Sequence, residues 1–536
     1  MTTTHSQEIE LKLALPPEQA AAFLKRMARR RSEPVQQDLV TRYFDTPDFA
    51  LSAQGVALRV RRVGRRWLQT LKTEGERQGG LSRRAEYEMP VAGGAPDWTR
   101  FPPEAQIWVP EAMRDALVPV FETRFHRTAW LLKGKNGAVI EVALDVGEVR
   151  AGARSQPICE IELELKSGQP DALFELALAW ADAFDCLPFD VSKAERGVRL
   201  AQGVADAPVK SVPLVLEDGV SVEEGFAAIV QACLAQFQAN LPGVLGALSL
   251  PQAGEGTKAG PEPIHDTEYV HQARVALRRL RAALRLFRRV CVLPNDLMGC
   301  LRTLVDALGP TRDWDVLCSE TLPAMAPHYA DQAGWQHGAE ALDAQRARVR
   351  AAMRAVLMNG QTGAWLLAMQ RWLLQHGWRL CPAGELVPQD QRLAQMSPLD
   401  AWARRALKKG HRRVVRGARR FADLLPEERH GLRIAIKRQR YAAEFFQTLF
   451  SRHSRRQARY LAVLRDAQDS LGRANDAHIA KGLLEAAPAE TGPVRDFALG
   501  WLAAQEVGTG NDDSAAHLHD FLALKPRWQG RRRDEY

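Results

Sequence analysis

The chain has 536 residues, of which 46% are hydrophobic and 26% are charged, and its formal net charge is +9. This composition is ordinary for a soluble globular protein, and the length exceeds what one hydrophobic core supports, so we expect at least two domains. The sequence shows no run of eighteen apolar residues, no N-terminal secretory signal and no Cys-x-x-Cys pair among its seven cysteines. These features argue against a membrane span, a disulfide framework or a zinc site, and they favour a cytoplasmic protein that attracts polyanions.

In residues 8–203, apolar and charged side chains alternate with a period of two. Successive side chains of a strand point to opposite faces, so each such segment has one apolar and one charged face. The clearest segments are 8–12, 58–61, 84–88, 140–145 and 160–166. Helical patterns are confined to residues 17–30 and 170–184. We therefore predict a mostly antiparallel β domain over residues 1–203.

The charged faces of these segments carry both signs in strand after strand. A single strand of this kind ordinarily turns its polar face to water, but the repetition favours a closed barrel with a polar lining. Clustered carboxylates in such a channel would repel each other unless a hard cation such as Mg²⁺ or Mn²⁺ bound between them. Neighbouring arginines and lysines would bind phosphoryl oxygens. The domain therefore has the components of metal-assisted phosphoryl transfer.

The same segments resemble the CYTH superfamily, the triphosphate tunnel metalloenzymes. The family's Glu-x-Glu-x-Lys signature is present as Glu8, Glu10 and Lys12. Further matching blocks follow in the family's order, at residues 43–47, 58–61, 70–72, 84–87, 127–130, 141–148, 159–164 and 192–197. The resemblance covers nearly all of residues 1–203 and implies an eight-stranded antiparallel tunnel that binds a triphosphate and Mg²⁺ or Mn²⁺.

The resemblance also implies roles for individual residues. The implied metal ligands are Glu8, Glu10, Glu160, Glu162 and Glu164, and which two of the last three bind metal stays open. The implied phosphate clamp consists of Lys12, Arg59, Arg61, Lys72, Arg84, Arg127, Lys193 and Arg196. Asp145 would help to hold a second metal ion and its attacking water. Glu8, Glu10, Lys12, Lys72 and Asp145 are the expected catalytic residues.

A second domain begins after a short linker. Residues 204–218 are rich in small residues and proline, which predicts a linker. Ser221, followed by Glu223 and Glu224, has the pattern of a helix start. The apolar period is helical from there on, so we predict an all-α bundle over residues 219–510. Residues 511–536 are polar and are predicted to be a fraying tail. The whole chain is then an α+β multidomain protein.

The predicted bundle contains an internal repeat of basic helices. The first copy places His271, Arg274, Arg278, Arg281 and Arg285 on one helix face. The second copy places His430, Arg433, Lys437 and Arg440 in the same way. Each copy is followed by a second matched element. It spans Gly309 to Asp313 after the first copy and Gly472 to Asp476 after the second. A third basic segment, 404–420, contains nine arginines and lysines and includes His411 and Arg412.

Residues 219–510 resemble the CHAD domain, the conserved-histidine α-helical domain. The resemblance implies a positive groove that binds inorganic polyphosphate through the basic residues of the repeat, with His411 and Arg412. Metal binding by the histidines is a weaker interpretation, because one histidine among cations is a poor cation site. Nucleic acid is disfavoured as a partner, because few aromatic side chains accompany the cations and could stack on bases.

The two resemblances together predict an inorganic triphosphatase that cleaves triphosphate to pyrophosphate and phosphate. We also expect polyphosphate binding, a cytoplasmic location at polyphosphate granules and no membrane partner, while the oligomeric state stays open. One alternative is a tunnel enzyme for thiamine triphosphate or ATP. The other is a polyphosphate-binding adaptor with little turnover, against which the complete carboxylate set argues.

Overall fold

The structure is a computed structural model that describes residues 5–30, 32–181, 183–246, 263–381, 384–509, 512–524 and 526. The chain folds into two compact units. The first unit contains the described residues up to Pro208, then 245–246 and Leu357–His376, and the second contains Val209–Val244, Pro263–Val356 and the described residues from Gly377 onwards. Within these described ranges, no helix is long and apolar enough to cross a membrane.

The regular elements are numbered here in chain order. The strands are β1 (His5–Ala14), β2 (Val35–Asp45), β3 (Ala57–Val63), β4 (Arg66–Lys72), β5 (Glu76–Gln78), β6 (Leu81–Val91), β7 (Val118–Lys133), β8 (Val139–Ala151), β9 (Arg154–Ser167) and β10 (Leu187–Pro188). The α-helices are α1 (Ala20–Met27), α2 (Ala50–Ala53), α3 (Pro103–Gln106), α4 (Glu111–Arg114), α5 (Asp171–Ala181), α6 (Lys193–Gln202), α7 (Val222–Leu245), α8 (Pro263–Phe287), α9 (Asn295–Val316), α10 (Leu322–Met325), α11 (Gln332–Leu357), α12 (Gln361–Leu374), α13 (Gln389–Met396), α14 (Leu399–Ala418), α15 (Pro426–Phe445), α16 (Ser454–Glu485), α17 (Gly492–Thr509) and α18 (Asp512–Ala523). All ten strands and helices α1–α6 and α12 belong to the first unit.

The strands of the first unit form a closed antiparallel barrel. Their order is β1-β9-β8-β7-β2-β3-β4-β6, and pairing of β6 with β1 closes the ring. The register at this closure places Glu8 opposite Arg84. The short strands β5 and β10 add to β6 and β1. The prediction of an eight-stranded antiparallel barrel is therefore confirmed.

The period of two explains why the barrel has a charged interior. In β9 the side chains of Ile161 and Leu163 are fully buried on the outer face, while the alternating glutamates face the other way. The outer face packs under α1 and α5, where the rings of Phe23 and Trp180 meet edge to face at 5.4 Å. Burying one such large apolar side chain stabilises the fold by roughly 1.5–3 kcal/mol. The helices therefore cover the apolar face and leave the charges inside.

Helix α12 completes the apolar core of the barrel unit, although its sequence lies far along the chain. Leu367 belongs to the same buried cluster as the barrel and α5. Arg371 donates to both carboxylate oxygens of Asp171 at 2.7 and 2.8 Å and to Glu175 at 3.0 Å. The helical period predicts this segment as part of the domain 219–510. In the structure it groups with the barrel unit, because the helix buries its apolar side there.

The second unit is all-helical, as predicted, and its repeat is visible in the contacts. Ser221 and Glu224 cap α7 reciprocally, with the Ser221 backbone donating to the Glu224 carboxylate at 2.7 Å. In the first copy, Arg274 of α8 donates to the carbonyl of Gly309 and to Asp313 of α9, both at 2.8 Å. In the second copy, Arg433 of α15 donates to Asn475 of α16 at 3.1 Å. Equivalent arginines therefore tie equivalent helix pairs together.

The prediction of a fraying polar tail over 511–536 is wrong for α18. This helix packs on α14 and α16, and its Phe521 side chain is fully buried. The ring of Phe521 lies 5.1 Å from His411 and 5.8 Å from Tyr460. Two apolar side chains of this helix, Leu518 and Phe521, are buried and anchor it. Residues 511, 525 and 527–536 of this tail lie outside the described residues.

Candidate functional site

The barrel encloses a cavity of about 670 Å³ whose wall is charged. Pockets for small ligands span roughly 300–1,000 Å³, so the volume suits a compact molecule. From the predicted site, the structure brings together Glu8, Glu10, Lys12, Arg59, Arg61, Lys72, Arg84, Arg127, Glu162, Glu164 and Lys193 as lining residues. Asp145 and Glu160 lie behind this lining and are almost fully buried. Arg196 is held at the start of β9 by Gln156 and Pro157 instead of lining the cavity.

The carboxylate of Glu8 is paired with two cations of the barrel. Both of its carboxylate oxygens accept from Lys72 Nζ at 2.8 Å, and Oε2 also accepts from Arg84 Nε at 2.8 Å. Burial disfavours the charged carboxylate, but attraction to Lys72 and Arg84 outweighs it and holds the pKa of Glu8 well below its usual range. Glu8 is therefore a firmly charged group of the cavity wall.

Glu10 is a buried carboxylate with too little positive charge around it. Its side chain is 7% exposed, and its recorded ion pair is a long one, 3.7 Å to Arg84 Nη2. Burial, with repulsion from Glu162 and Glu8, raises the pKa of Glu10 to about 7. The cross-strand partner of Glu10 is Glu164, whose pKa burial also raises. Carboxylates in this state fit a hard divalent cation, which would replace the missing positive charge.

A second acidic group lies deeper in the barrel and is already compensated. Possible ligand oxygens of Asp145, Glu160 and Glu162 lie within 4.8 Å of one another. Lys193 Nζ is placed among them and donates to Asp145 and Glu162, each at 2.7 Å, and to Glu160. Arg127 donates to both oxygens of Asp145 at 2.7 Å and to Glu162. Protein cations therefore contact all three carboxylates of this group, and the metal-binding role expected of Asp145 stays a prediction.

The pKa shifts around this group have a common cause. Burial lowers the pKa of the Lys193 ammonium, but attraction to Asp145 and Glu160 outweighs it and raises that pKa above its usual range. Burial likewise acts against the charged form of Glu162, and attraction to Lys193 and Arg127 holds the pKa of Glu162 well below its usual range. Lys193 and Glu162 therefore remain charged, and the network fixes Lys193 and Arg127 in position.

Two arginines of β3, Arg59 and Arg61, line one wall of the cavity, and Arg59 donates to Glu86 at 3.4 Å. Burial, with repulsion from Arg59 and Arg127, lowers the pKa of Arg61 to about 10. The recorded hydrogen bond of Arg61 is to the hydroxyl of Thr41 at 3.0 Å. Nε of Arg59 is buried and has no hydrogen-bond partner among the described residues. Buried donors of this kind normally have a partner, so this wall fits an anion.

Tyr43 is a lining residue to which the sequence analysis gave no role. Its ring stacks on Phe121 at 4.4 Å, and it lines the cavity from β2. Burial acts against the phenolate, but attraction to Arg59 and Arg61 outweighs it and lowers the pKa of Tyr43. The signal was available, because Tyr43 and the inward-facing Thr41 share one face of the strand. Other lining charges outside the predicted set are Glu74, Arg77, Glu86, Glu88, Glu141, Lys166, Glu195 and Arg199.

In the second unit, the basic side chains of the repeat form a joint surface. Burial, with repulsion from Arg278, Arg433 and Arg274, lowers the pKa of Lys437 to about 7. Cations of α8 and α15 therefore lie close together. Nε of Arg433 is buried without a hydrogen-bond partner among the described residues. We call Arg274, Arg278, Arg433, Lys437 and Arg440 the basic cluster.

The basic cluster extends towards α14. Burial, with repulsion from Arg285, Arg413 and Arg281, lowers the pKa of Arg438. The cations of α8, α14 and α15 therefore approach one another. Arg412 is exposed on α14. Glu444 offsets part of the charge, because Arg440 pairs with it at 2.5 Å and Arg279 at 3.0 Å.

The three predicted histidines have different environments. His430 is exposed on α15. His271 is half-buried, and burial, with repulsion from Arg312, lowers its pKa. His411, in contrast, is buried, with a ring nitrogen 3.1 Å from the hydroxyl of Tyr460. Burial lowers the pKa of His411 to about 4, so it is a neutral interior residue and not a surface contact.

Comparisons with known proteins match both units. The CYTH domain family model matches residues 6–198 and the CHAD domain family model matches residues 228–485. An inorganic triphosphatase of Haemophilus influenzae is 36% identical over 206 residues, which are 36% of this chain. The chain spans 55% of the length of that relative.

Two solved structures are similar to parts of the chain. The CHAD domain of the plant Ricinus communis is 30% identical with a TM-score of 0.47, covering 60% of this chain and 98% of that one. A candidate adenylyl cyclase of Hippeastrum with a dominant triphosphatase activity is 17% identical with a TM-score of 0.27. That match covers 37% of this chain and 96% of the other.

Proposed function

This chain carries a CYTH domain followed by a CHAD domain, and from this premise we propose that it is a metal-dependent inorganic triphosphatase. The reaction is hydrolysis of triphosphate to pyrophosphate and phosphate. The observation that carries the proposal is the division of the cavity into two walls. One wall has Arg59, whose buried Nε has no hydrogen-bond partner among the described residues, and the other has Glu10, a buried carboxylate with too little positive charge around it. A triphosphate with a divalent cation satisfies both walls at once.

The cationic wall binds the substrate. Arg59 and Arg61 present guanidinium groups that suit two phosphoryl oxygens each. Lys193 and Arg127 are held rigidly by Asp145 and Glu162, so their charges are in place before substrate arrives. Preorganised donors of this kind stabilise charge that develops on the phosphoryl oxygens during cleavage. In this assignment Asp145 acts by positioning Arg127 and Lys193.

The carboxylate wall would hold Mg²⁺ or Mn²⁺. Glu8, Glu10, Glu162 and Glu164 are the best-placed ligands because they line the cavity, whereas Glu160 lies behind the lining and contacts Lys193 and Arg196. When bound, the metal ion supplies Lewis-acid polarisation of the phosphoryl group and activation of a water molecule. Lys72 and Arg84 keep Glu8 ionised for this purpose.

An inorganic substrate suits the cavity better than thiamine triphosphate or ATP. Among the described residues that line it, Tyr43 is the single aromatic side chain, and its ring already stacks on Phe121. A base or thiazole ring would therefore find no aromatic surface to stack on. The remaining lining groups are mostly charged and match phosphoryl oxygens.

The second unit would bind long polyphosphate through the basic cluster. The lowered pKa of Lys437 and the unpartnered Nε of Arg433 indicate a surface that needs negative charge. Polyphosphate supplies that charge without needing aromatic platforms. A cytoplasmic location at polyphosphate granules follows from this ligand.

The test is phosphate release from triphosphate, ATP and thiamine triphosphate, each with Mg²⁺, Mn²⁺ or EDTA. We expect the highest kcat/KM with inorganic triphosphate and none with EDTA. Polyphosphate binding without turnover of any of the three substrates would support the adaptor alternative. Faster turnover of ATP or thiamine triphosphate would identify an organic substrate instead.

A further inference from the structure

A short arm of the barrel carries a cation that the proposed site does not use. Strand β5 pairs with the start of β6, with Arg77 opposite Ser82. The guanidinium of Arg77 lines the cavity and pairs with Glu195 of α6 at 2.6 Å. Glu195 also accepts from the Ser192 backbone and hydroxyl at 2.8 and 2.9 Å. Glu195 therefore keeps hydrogen-bond partners if Arg77 turns away from it.

The turn after this arm is held by α12. Gly79 has φ +61°, a left-handed conformation that favours glycine. A Cβ at Gly79 would lie 2.2 Å from the side chain of Gln370, so the turn rests directly on that side chain. The side-chain amide of Gln78 also donates to Oε1 of Gln370 at 3.4 Å. Gln370 is 2% exposed, so surrounding side chains leave it no free path to swing out into solvent.

Helix α12 is itself anchored at three places. A Cβ at Gly363 would lie 2.0 Å from the carbonyl oxygen of Cys186, so the helix backbone lies against that segment. Leu367 is fully buried in the core of the barrel unit. Arg371 is paired with Asp171 and Glu175. The position of the β5 arm is therefore set by a rigid helix, not by the arm's three residues alone.

We propose that Arg77 is a further triphosphate-binding residue of the cavity and that Gln370 is the positioning residue that holds it there. This inference rests on the proposed triphosphatase function. In the bound state the Arg77 guanidinium exchanges Glu195 for a phosphoryl oxygen, while Ser192 continues to satisfy Glu195. Gln370 belongs to α12 (Gln361–Leu374), which lies outside residues 1–203. Substrate binding in the barrel therefore depends on a segment that is distant in the sequence.

The test is a double-mutant cycle in the full-length protein with Arg77→Ala, Gln370→Ala and the combined variant. Losing a charged hydrogen bond weakens binding by about tenfold, so we expect Arg77→Ala to raise KM for triphosphate by about tenfold with a smaller change in kcat. Gln370→Ala should raise KM severalfold in the wild-type background and leave it unchanged in the Arg77→Ala background. Arg77→Lys should recover part of the affinity.

Controls separate positioning from folding. Gln361→Ala removes an exposed side chain from the same helix and should leave KM and the melting temperature unchanged. Equal effects of Gln370→Ala in both backgrounds, or an effect on melting temperature alone, would show that Gln370 is only structural. Unchanged KM in Arg77→Ala would overturn the assignment of Arg77. If the wild type lacks turnover, the proposed function fails, and the same cycle is then measured as triphosphate affinity by calorimetry.

Discussion

The barrel unit and the helical unit both concentrate arginine and lysine, but they compensate these charges differently. In the barrel, Lys193 and Arg127 are surrounded by carboxylates, and attraction outweighs burial in their pKa values. In the helical unit, Lys437 faces arginines of its own and the neighbouring helix, and its pKa falls to about 7. Alternating charges make a cavity that fixes a short anion and a metal ion in one orientation. Like charges make a surface that gains from any long polyanion.

The largest expected effect would test the barrel side of this comparison. We expect Glu10→Gln to lower kcat/KM for triphosphate by about a thousandfold, because an amide is a much poorer ligand than a carboxylate for a hard divalent ion. Glu8→Gln should behave in the same way. Glu111→Gln, an exposed change on α4, is the matched control. Near-wild-type rates in both barrel variants, with melting temperatures unchanged, would exclude the carboxylate wall as the metal site.

The next effect concerns the helical unit alone. Changing Arg274, Arg278, Arg433 and Lys437 together to Ala should weaken binding of long polyphosphate by about a hundredfold at physiological salt, where loose surface attraction is screened beyond roughly 8 Å. The slope of log affinity against log salt should flatten by about 0.7 for each lost phosphate contact. Triphosphate hydrolysis should not change, because these residues lie outside the cavity lining.

Competition with single-stranded DNA sharpens the same experiment. The closer phosphate spacing of polyphosphate should suit a cluster in which cations of two helices lie side by side. We therefore expect polyphosphate to displace DNA at equal phosphate concentration. Displacement in the opposite direction, or unchanged binding by the fourfold variant, would mean that the basic cluster is only a solvated surface.

The sequence predicted the barrel and much of the cavity lining, because a period of two decides which side chains of a strand face inward. Every predicted cavity residue on β1, β3, β4 and β6 does line the cavity. Neighbouring contacts were less predictable. Nothing in the sequence shows that Lys193 of α6 donates to Glu160, which lies 33 residues earlier in the chain. Nor does it show that Glu164 is the cross-strand partner of Glu10.

The helical part shows where the sequence was and was not sufficient. His411 could have been assigned to the interior, because Leu407, His411, Val414 and Ala418 share one buried stripe of α14. Helix α12 could not have been placed. Its side chains Trp365, Leu366 and Leu367 are buried in succession, which indicates burial all round but not the unit that provides the partner. The predicted barrel domain, residues 1–203, therefore lacks this helix, which belongs to the barrel unit in the structure.

A smaller effect is expected from pH at the metal site. The pKa of Glu10 is raised to about 7, and a metal ion binds the ionised carboxylate, so protons compete with it below that pH. We expect the apparent Mg²⁺ affinity to rise about tenfold from pH 6 to pH 8. Calorimetry in two buffers with different ionisation enthalpies should detect release of about half a proton near pH 7. A pH-independent affinity without proton release would mean that Glu10 is not a ligand.

The smallest effect is the opposite pH dependence in the basic cluster. Lys437 is charged below its pKa of about 7 and largely neutral above it, and a bound polyanion favours the charged form. Polyphosphate binding should therefore take up a proton near pH 7, and affinity should fall by about fivefold from pH 6 to pH 8. The groups that set this pKa are Arg274 and Arg278 of α8 and Arg433 and Arg440 of α15, with Asp476 of α16 close to Arg433.

The deciding variant is Lys437→Arg, because a guanidinium stays charged throughout this range. Its affinity for polyphosphate should be nearly constant between pH 6 and pH 8 and should equal that of the wild type at pH 6. His271→Gln controls for the other titratable group near the cluster, since the pKa of His271 is also lowered by burial and by Arg312. If the pH dependence survives Lys437→Arg and disappears in His271→Gln, the proton is taken up by the histidine. In that case Lys437 is already charged before polyphosphate binds, and the pH dependence of the helical unit is not evidence for a neutral lysine in the basic cluster.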